Sequence, residues 1–372
     1  MSEHRPSLRT IAALFLRLST TGFGGPAAHI AMMHREVVLR RRWVDDQHFL
    51  DYVGMTNLIP GPSSTEMAML VGRHLAGGNG LLVAGISFIV PAAVIVLGLA
   101  WSYVTYGSTP TGEALLYGIE PVVIAIVAHA LISLAPKAMS SPLLVAVGEA
   151  TAVLYLVGVN ELLLLATAAL VGLARGVSPR AGLMVPVALE VATASRSDAA
   201  LGGLFLVFLK VGAVMYGSGY VLLAFLRGEL VERLAWLTER ELLDAIAIGQ
   251  LTPGPLFTTA TFVGYLLAGA AGAAVATVAI FLPSFVVSAA IGRVAQRLRS
   301  WPPTAGLLDS LTASAIGLMA GVIVLLAGRA IVDIPAAVIA VFSFGALWRF
   351  NLNSAWLIAF GALGGVALSL FR

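Results

Sequence analysis

Between two apolar stretches the chain reads Asn57-Leu58-Ile59-Pro60-Gly61-Pro62, and later it reads Gln250-Leu251-Thr252-Pro253-Gly254-Pro255. Proline removes a backbone donor and clashes with the preceding turn, so a helix cannot run through two of them. Each triplet therefore ends one helix and starts another. The surroundings are apolar enough to lie in lipid. Residues 80–106, 201–226 and 304–328 exceed the roughly 20 residues that cross a bilayer as helix. Only 11% of the chain is charged, against about 25% in a soluble domain. Broken backbone at membrane depth is tolerated only where protein or a water-filled cavity covers it. The two triplets are the first place to look for a substrate.

The triplets belong to a longer repeat. An offset of 193 residues aligns Phe15-Leu16-Arg17 with Phe208-Leu209-Lys210, Phe23-Gly24 with Tyr216-Gly217, and Glu36 with Glu229. It also aligns Trp43 with Trp236, Asp51 with Asp244 and Asn57 with Gln250. After one deletion the offset is 192, and Gly72, Gly77, Gly80 and Pro91 meet Gly264, Gly269, Gly272 and Pro283. The expected fold is an all-α polytopic membrane protein of two homologous halves arranged as inverted repeats. Each half has about five transmembrane helices plus a Pro-Gly-Pro helical hairpin. The halves are residues 1–175 and 201–372, joined by a more polar linker, 176–200.

Topology turns on whether each Pro-Gly-Pro segment crosses the membrane or turns back. If it turns back, the second half is inverted. One face then gathers Arg35, Arg40, Arg41, Arg42, Arg73, Lys137 and Arg175 with Arg180, Arg196, Arg293, Arg297, Arg299 and Arg349. The positive-inside rule favours that arrangement and makes this face cytoplasmic. The basic excess is small, 22 Lys plus Arg against 19 Asp plus Glu, and no basic, aromatic-interleaved patch points to nucleic acid. The absence of cysteine excludes disulfides and thiolate metal sites. No metal-ligand spacing, cofactor motif or Walker lysine motif is present, and no removable signal peptide is read at the N-terminus.

Inverted repeats with interrupted helices are the construction of secondary transporters, in which half-helix N-termini face anionic substrate groups. Orphan N–H groups and the helix dipole make such ends anion sites. The candidate substrate-binding residues are Gly24, Gly25, Pro26, Asn57, Pro60, Gly61, Pro62, Ser63 and Ser64 in the first half. In the second they are Gly217, Ser218, Gly219, Gln250, Pro253, Gly254, Pro255 and Thr258. A packing kink explains one triplet as well as a site does; two at matched positions favour a site. Arg17 and Lys210 are matched cations in apolar segments, where a charge costs about 2.5–3.5 kcal/mol at a helix centre. They suit the counter-charge of an anion, with snorkelling as the alternative. Glu66, His29 and Glu36 are proton-coupling candidates, although ion pairs with Arg35 or Arg240 are the simpler reading of Glu36, Glu229, Asp51 and Asp244. His34, His129, Glu120, Glu149 and Glu190 are further candidates, each by itself more readily a satisfied polar group.

Phe15-Leu16-Arg17…Phe23-Gly24-Gly25-Pro26-Ala27, the Trp43 loop and Asn57…Pro60-Gly61-Pro62 resemble the chromate ion transporter family. So do Phe208-Leu209-Lys210-Val211-Gly212…Tyr216-Gly217-Ser218-Gly219-Tyr220 and the second Pro-Gly-Pro. The resemblance covers both halves and is closest to the long two-domain form. It implies a gradient-driven secondary transporter that exports chromate across the cytoplasmic membrane and confers chromate resistance, with oppositely oriented halves and sulfate as look-alike anion. Ser218 stands where a glycine is expected, and Gln250 where the first half has Asn57, so the half-sites differ. A carrier or channel for sulfate or another oxyanion is the alternative. A membrane lipid pyrophosphate phosphatase is a weaker one: Pro60-Gly61-Pro62-Ser63-Ser64 is similar to its Pro-Gly-x-Ser-Arg-Ser loop but lacks the arginine. The expected partners are a small oxyanion and the lipid bilayer, and a homodimer rests on base rate alone.

Overall fold

The computed structural model describes residues 6–56, 60–176, 201–215, 219–291, 302–350 and 352–370. Among these residues the chain is helical throughout. The first half comprises α1 (Leu8–Thr21), α2 (Gly25–His34, continued by a π-helical turn Arg35–Arg40), α3 (Asp46–Thr56), α4 (Ser63–Tyr106), α5 (Pro110–Ala138), α6 (Pro142–Leu156) and α7 (Glu161–Gly176). The second comprises α8 (Leu201–Val214), α9 (Leu222–Leu226, with a 3-10 turn Gly219–Val221 before it and a π-helical turn Arg227–Arg233 after it), α10 (Glu239–Leu251), α11 (Thr259–Ile291), α12 (Pro302–Ala330), α13 (Ile334–Phe350) and α14 (Ser354–Ser369). Among the described residues four segments are long and apolar enough to span a bilayer: Ser63–Tyr106, Pro110–Ala138, Leu256–Ala290 and Ala305–Ala330.

Each half starts with two hairpins. Arg17 on α1 and Glu36 after α2 are 2.7 Å apart, whereas a continuous helix would separate them by about 28 Å at 1.5 Å per residue. The break at Gly22–Gly24 is therefore a reversal, sharper than the broken helix that its glycines and proline predict. Lys210 and Glu229 repeat the contact at 2.9 Å in the second half. The second hairpin turns at Pro-Gly-Pro: Tyr52 Oη on α3 lies 2.7 Å from His74 Nδ1 on α4, so the chain enters, turns back and leaves on the same side. Asp45 caps α3 through the His48 N–H, and that bond holds its carboxyl below the usual range.

α4 is itself two limbs, 63–75 and 78–106. Between them Ala76 (φ −145°, ψ 28°) and Gly77 (φ 62°, ψ −147°) leave the helix. Ala268 (φ −148°, ψ 30°) and Gly269 (φ 59°, ψ −153°) do the same in α11. Space around Gly77 is open, so glycine is required there by its φ and ψ, a region open essentially to glycine alone that costs other residues about 1–3 kcal/mol. The limbs then pack backbone to backbone. A Cβ on Gly72 would strike the Gly80 carbonyl, and one on Gly264 would strike that of Gly272.

The second limb of α4 carries the chain to the opposite face. There Tyr103 Oη donates to Asp244 Oδ2 at 2.7 Å, near the start of α10. The α6–α7 connection reaches the same region, where a Cβ on Gly228 would meet the Glu161 carboxylate. Reciprocally, Arg73 Nη1 donates at 2.7 Å to the Ser288 and Ala289 carbonyls at the far end of α11. The hairpin bases of the two halves lie on opposite faces, and the halves are inverted. α4 and α11 cross at the centre, while α5–α7 and α12–α14 interlock beside them. Glycines allow this interlock: Gly118 meets Gly361, and Gly172 meets Gly306, at backbone contact.

Candidate functional site

The four reversals converge. Gly61 N–H donates to the Met215 carbonyl at 2.8 Å, and Gly254 N–H donates to the Gly22 carbonyl at 2.8 Å. The repeat offset pairs Gly61 with Gly254 and Gly22 with Met215, so this is one hydrogen bond made twice across a pseudo-two-fold axis. Each Pro-Gly-Pro tip is clasped by the first hairpin of the other half. Pro26 and Gly219, another matched pair, face each other: Pro26 Cγ lies 3.8 Å from the place a Gly219 Cβ would take.

Both tip glycines have left-handed φ, 134° at Gly61 and 98° at Gly254, and both are tightly enclosed. A Cβ on Gly61 would collide with Ser284 Oγ and lie 2.5 Å from Glu66 Oε1; one on Gly254 would lie 2.7 Å from Ala92 Cβ and 3.0 Å from Ser19 Oγ. Ala92 and Ser284 are again matched, each following the proline at 91 or 283. The Gly61 side thus carries a carboxyl that the Gly254 side lacks, and takes its hydroxyl from Ser284 where the Gly254 side takes one from Ser19.

The helix N-termini at these tips are open. Gly24 before α2, Pro62 before α4 and Pro255 before the 3-10 turn Leu256–Thr258 make no side-chain cap, which leaves orphan donors and the positive dipole end to the site. Around them lie buried polar atoms with no hydrogen-bond partner among the described residues: Ser19 Oγ, His29 Nδ1, Thr65 Oγ1, Glu66 Oε2 and Gln250 Nε2. Buried polar groups are rarely left so. His29 Nε2 bonds the same Gly22 carbonyl, at 3.0 Å, that Gly254 N–H does. Thr258 turns its hydroxyl to the Pro255 carbonyl at 2.8 Å. A water-excluded set of N–H groups, hydroxyls and an amide is suited to hold an anion whose hydration it replaces.

Of the residues singled out in the sequence, Gly24, Gly25, Pro26, Pro60, Gly61, Pro62, Ser63, Ser64, Gly219, Gln250, Pro253, Gly254, Pro255 and Thr258 belong to these tips or flank them. Asn57, Gly217, Ser218 and Glu190 lie outside the described residues. Arg17 and Lys210, five residues before the reversals, are paired with Glu36 and Glu229. Arg40, at 3.2 Å, and Arg41, at 3.4 Å, add to Glu36, and Arg233 adds to Glu229. The simpler reading of these carboxylates as ion-paired is right in kind but not in partner, because the reversal brings Arg17 and Lys210 to them instead of Arg35 and Arg240. Asp244 pairs with Tyr103, and Arg240 lies 3.8 Å from Glu120. His34 bonds Asp46 at 2.7 Å, and His129 packs edge-on against Phe344 and Trp348. Sequence reading missed Ser19, Ser284 and the acceptor carbonyls of Gly22 and Met215; the residue following each matched proline was the available signal for Ser284. A separate cavity of about 670 Å³ opens beside the start of α10, lined by Tyr117, Glu120, Thr238, Arg240 and Arg329 among others.

The family described as chromate transporter matches residues 9–173 and again 202–366. A chromate transport protein of Cupriavidus metallidurans is 33% identical over 379 residues, covering 98% of this chain and 94% of its own. A probable chromate transport protein of Synechococcus elongatus is 31% identical, covering 97% of this chain and 95% of its own. An uncharacterized transporter of Methanocaldococcus jannaschii is 26% identical over 93% of this chain and 91% of its own. No solved structure matches. With both halves matched by one family and relatives of this likeness along nearly the whole length, the chain is a multi-pass membrane protein that belongs to the chromate transporter family.

Proposed function

We propose that the protein is a secondary carrier for a tetrahedral oxyanion, chromate foremost, which it exports across the cytoplasmic membrane and so confers chromate resistance. The observation that carries this reading is the reciprocal clasp of Gly61 on Met215 and Gly254 on Gly22. It gathers open helix ends and unpartnered buried donors into one protein-covered place between inverted halves. The names of the curated relatives supply the preferred anion. The substrate-binding set is Gly24, Gly25, Pro26, Asn57, Pro60, Gly61, Pro62, Ser63, Ser64, Gly217, Ser218, Gly219, Gln250, Pro253, Gly254, Pro255 and Thr258, with 176–200 as the linker between the repeats. Arg17 and Lys210, each paired with a carboxylate, staple the hairpins five residues before the acceptor carbonyls of Gly22 and Met215.

Orientation follows from charge. Arg9, Arg35, Arg40, Arg41, Arg42, Arg73, Lys137 and Arg349 share one face, and Arg227, Arg233, Arg240 and Arg329 share the other. The first is the cytoplasmic face under the positive-inside rule. A dianion leaving a cell with a negative interior gains about 4.6 kcal/mol per 100 mV when it moves alone, and about 2.3 when one proton goes with it. The test is radiolabelled chromate flux in proteoliposomes with sulfate as competitor. Saturable chromate flux that sulfate inhibits only in large excess is the expected result; equal competition would make the protein a general oxyanion carrier, and no flux would remove the reading.

A further inference from the structure

Glu66 is the buried acid at the tips. It lies in the first turn of α4, four residues after Pro62, and is wholly buried. One oxygen, Oε1, accepts a hydrogen bond from Ser284 Oγ of the other half at 3.2 Å; the other, Oε2, has no partner among the described residues. No described lysine, arginine or histidine pairs with it. The described charged and titratable groups on the elements packed around it make no ion pair or hydrogen bond with it, although His29 Nδ1 on α2 is itself unpartnered among the described residues. On α1, Arg17 holds Glu36; on α2, His29 holds the Gly22 carbonyl; on its own helix, Arg73 donates to the Ser288 and Ala289 carbonyls and His74 bonds Tyr52; on α10, Asp244 accepts from Tyr103. At the matched place in the second half stand Thr258 or Thr259, with Ala92 for Ser284, so the device occurs once per chain.

We infer that Glu66 is a proton-binding site coupled to the transported anion: the cradle takes its oxyanion together with one proton. This rests on the reading of the tips as the anion site. The first turn of a helix attracts either an ionised carboxylate or an external anion. An ionised Glu66 occupies that field and repels a dianion beside it. Protonated on Oε2, it loses the charge and presents an O–H donor to an anion oxygen, while Ser284 continues to satisfy Oε1. The proton enters from solvent as the anion binds and leaves when the anion leaves. By linkage each ligand raises the affinity of the other by the same factor.

The experiment uses the full chain in proteoliposomes with the membrane potential clamped to zero. The lumen is one pH unit more alkaline than the medium, and both solutions are alkaline enough for chromate to be the dianion. One proton per anion predicts about tenfold accumulation of chromate in the lumen at equilibrium. Glu66→Gln should show no accumulation, only slower exchange of labelled for unlabelled chromate. Accumulation by both proteins, or exchange by the wild type with none driven by the pH gradient, overturns the inference and leaves the anion site standing. Absence of exchange in the wild type overturns the anion site itself. If Glu66→Gln is inert, Glu66→Asp decides: accumulation with a shifted pH midpoint supports the proton role, and an unshifted midpoint removes it.

Discussion

Gly61 and Gly77 have the same residue type and the same sign of φ, yet they answer to different constraints. At Gly77 an added methyl meets open space, so Gly77→Ala should cost about 1–3 kcal/mol, the backbone penalty alone. At Gly61 the same methyl meets Ser284 and Glu66. Gly61→Ala should therefore cost visibly more and abolish flux, because the tip must shift and the bond to Met215 is lost. Thermal unfolding in detergent, with chromate flux alongside, separates the two; equal melting shifts would show that packing at Gly61 is slack. The matched ion pairs also differ. The Lys210 side chain is 13% exposed and that of Arg17 45%. Breaking the buried pair with Glu229→Gln should cost about 3–5 kcal/mol, whereas Glu36→Gln, which leaves Arg17 free to hydrate, should cost about 1 kcal/mol. The ranking is checked by the same melts.

At the scale of elements, the hairpins and the interlocking helices both depend on backbone approach that side chains would prevent. Gly118 on α5 lies against Gly361 and Gly365 of α14, while Gly98 on α4 has nothing near the place of its Cβ. Gly118→Val should lose folded protein through overpacking of about 1–3 kcal/mol or more, and Gly98→Val should not. The yield of monodisperse protein in size-exclusion chromatography reads this directly. Hydropathy and proline placed most helices and interruptions, because both act through local backbone chemistry, but the apolar run 201–226, long enough to cross a bilayer, is α8 and α9 folded back on each other. The direction of the chain after Gly22–Gly24 was not legible. Glycine and proline announce that a helix stops; whether the next one continues or returns depends on Arg17 finding Glu36 and on α1 packing against α4.

For the whole molecule, inversion and re-entry make a prediction about sides. The chain has no cysteine, so single cysteines report accessibility without background. Cysteine at His48 or Arg349 should react with a membrane-impermeant maleimide from one side of the membrane, and cysteine at Arg240 or Arg329 from the other. Labelling of His48 and Arg240 positions from the same side would contradict the inversion. A bifunctional maleimide of short span should join cysteines at Tyr52 and His74, since the α3 hairpin returns to its own side.

Two homologous halves, their helices and the four interruptions followed from the order of residues alone, since apolar length, glycine freedom and the missing proline N–H act within a few residues of themselves. What surrounds the interruptions was settled only by the folded chain. That the Gly61 N–H meets the carbonyl of Met215, that Glu66 leans on Ser284, and that Arg17 and Lys210 are held by carboxylates are relations between distant segments. Nothing in the local chemistry of either partner encodes them: the two ion pairs form when each first hairpin folds back on itself, and the Gly61 and Glu66 bonds form when the two inverted halves close on a common axis.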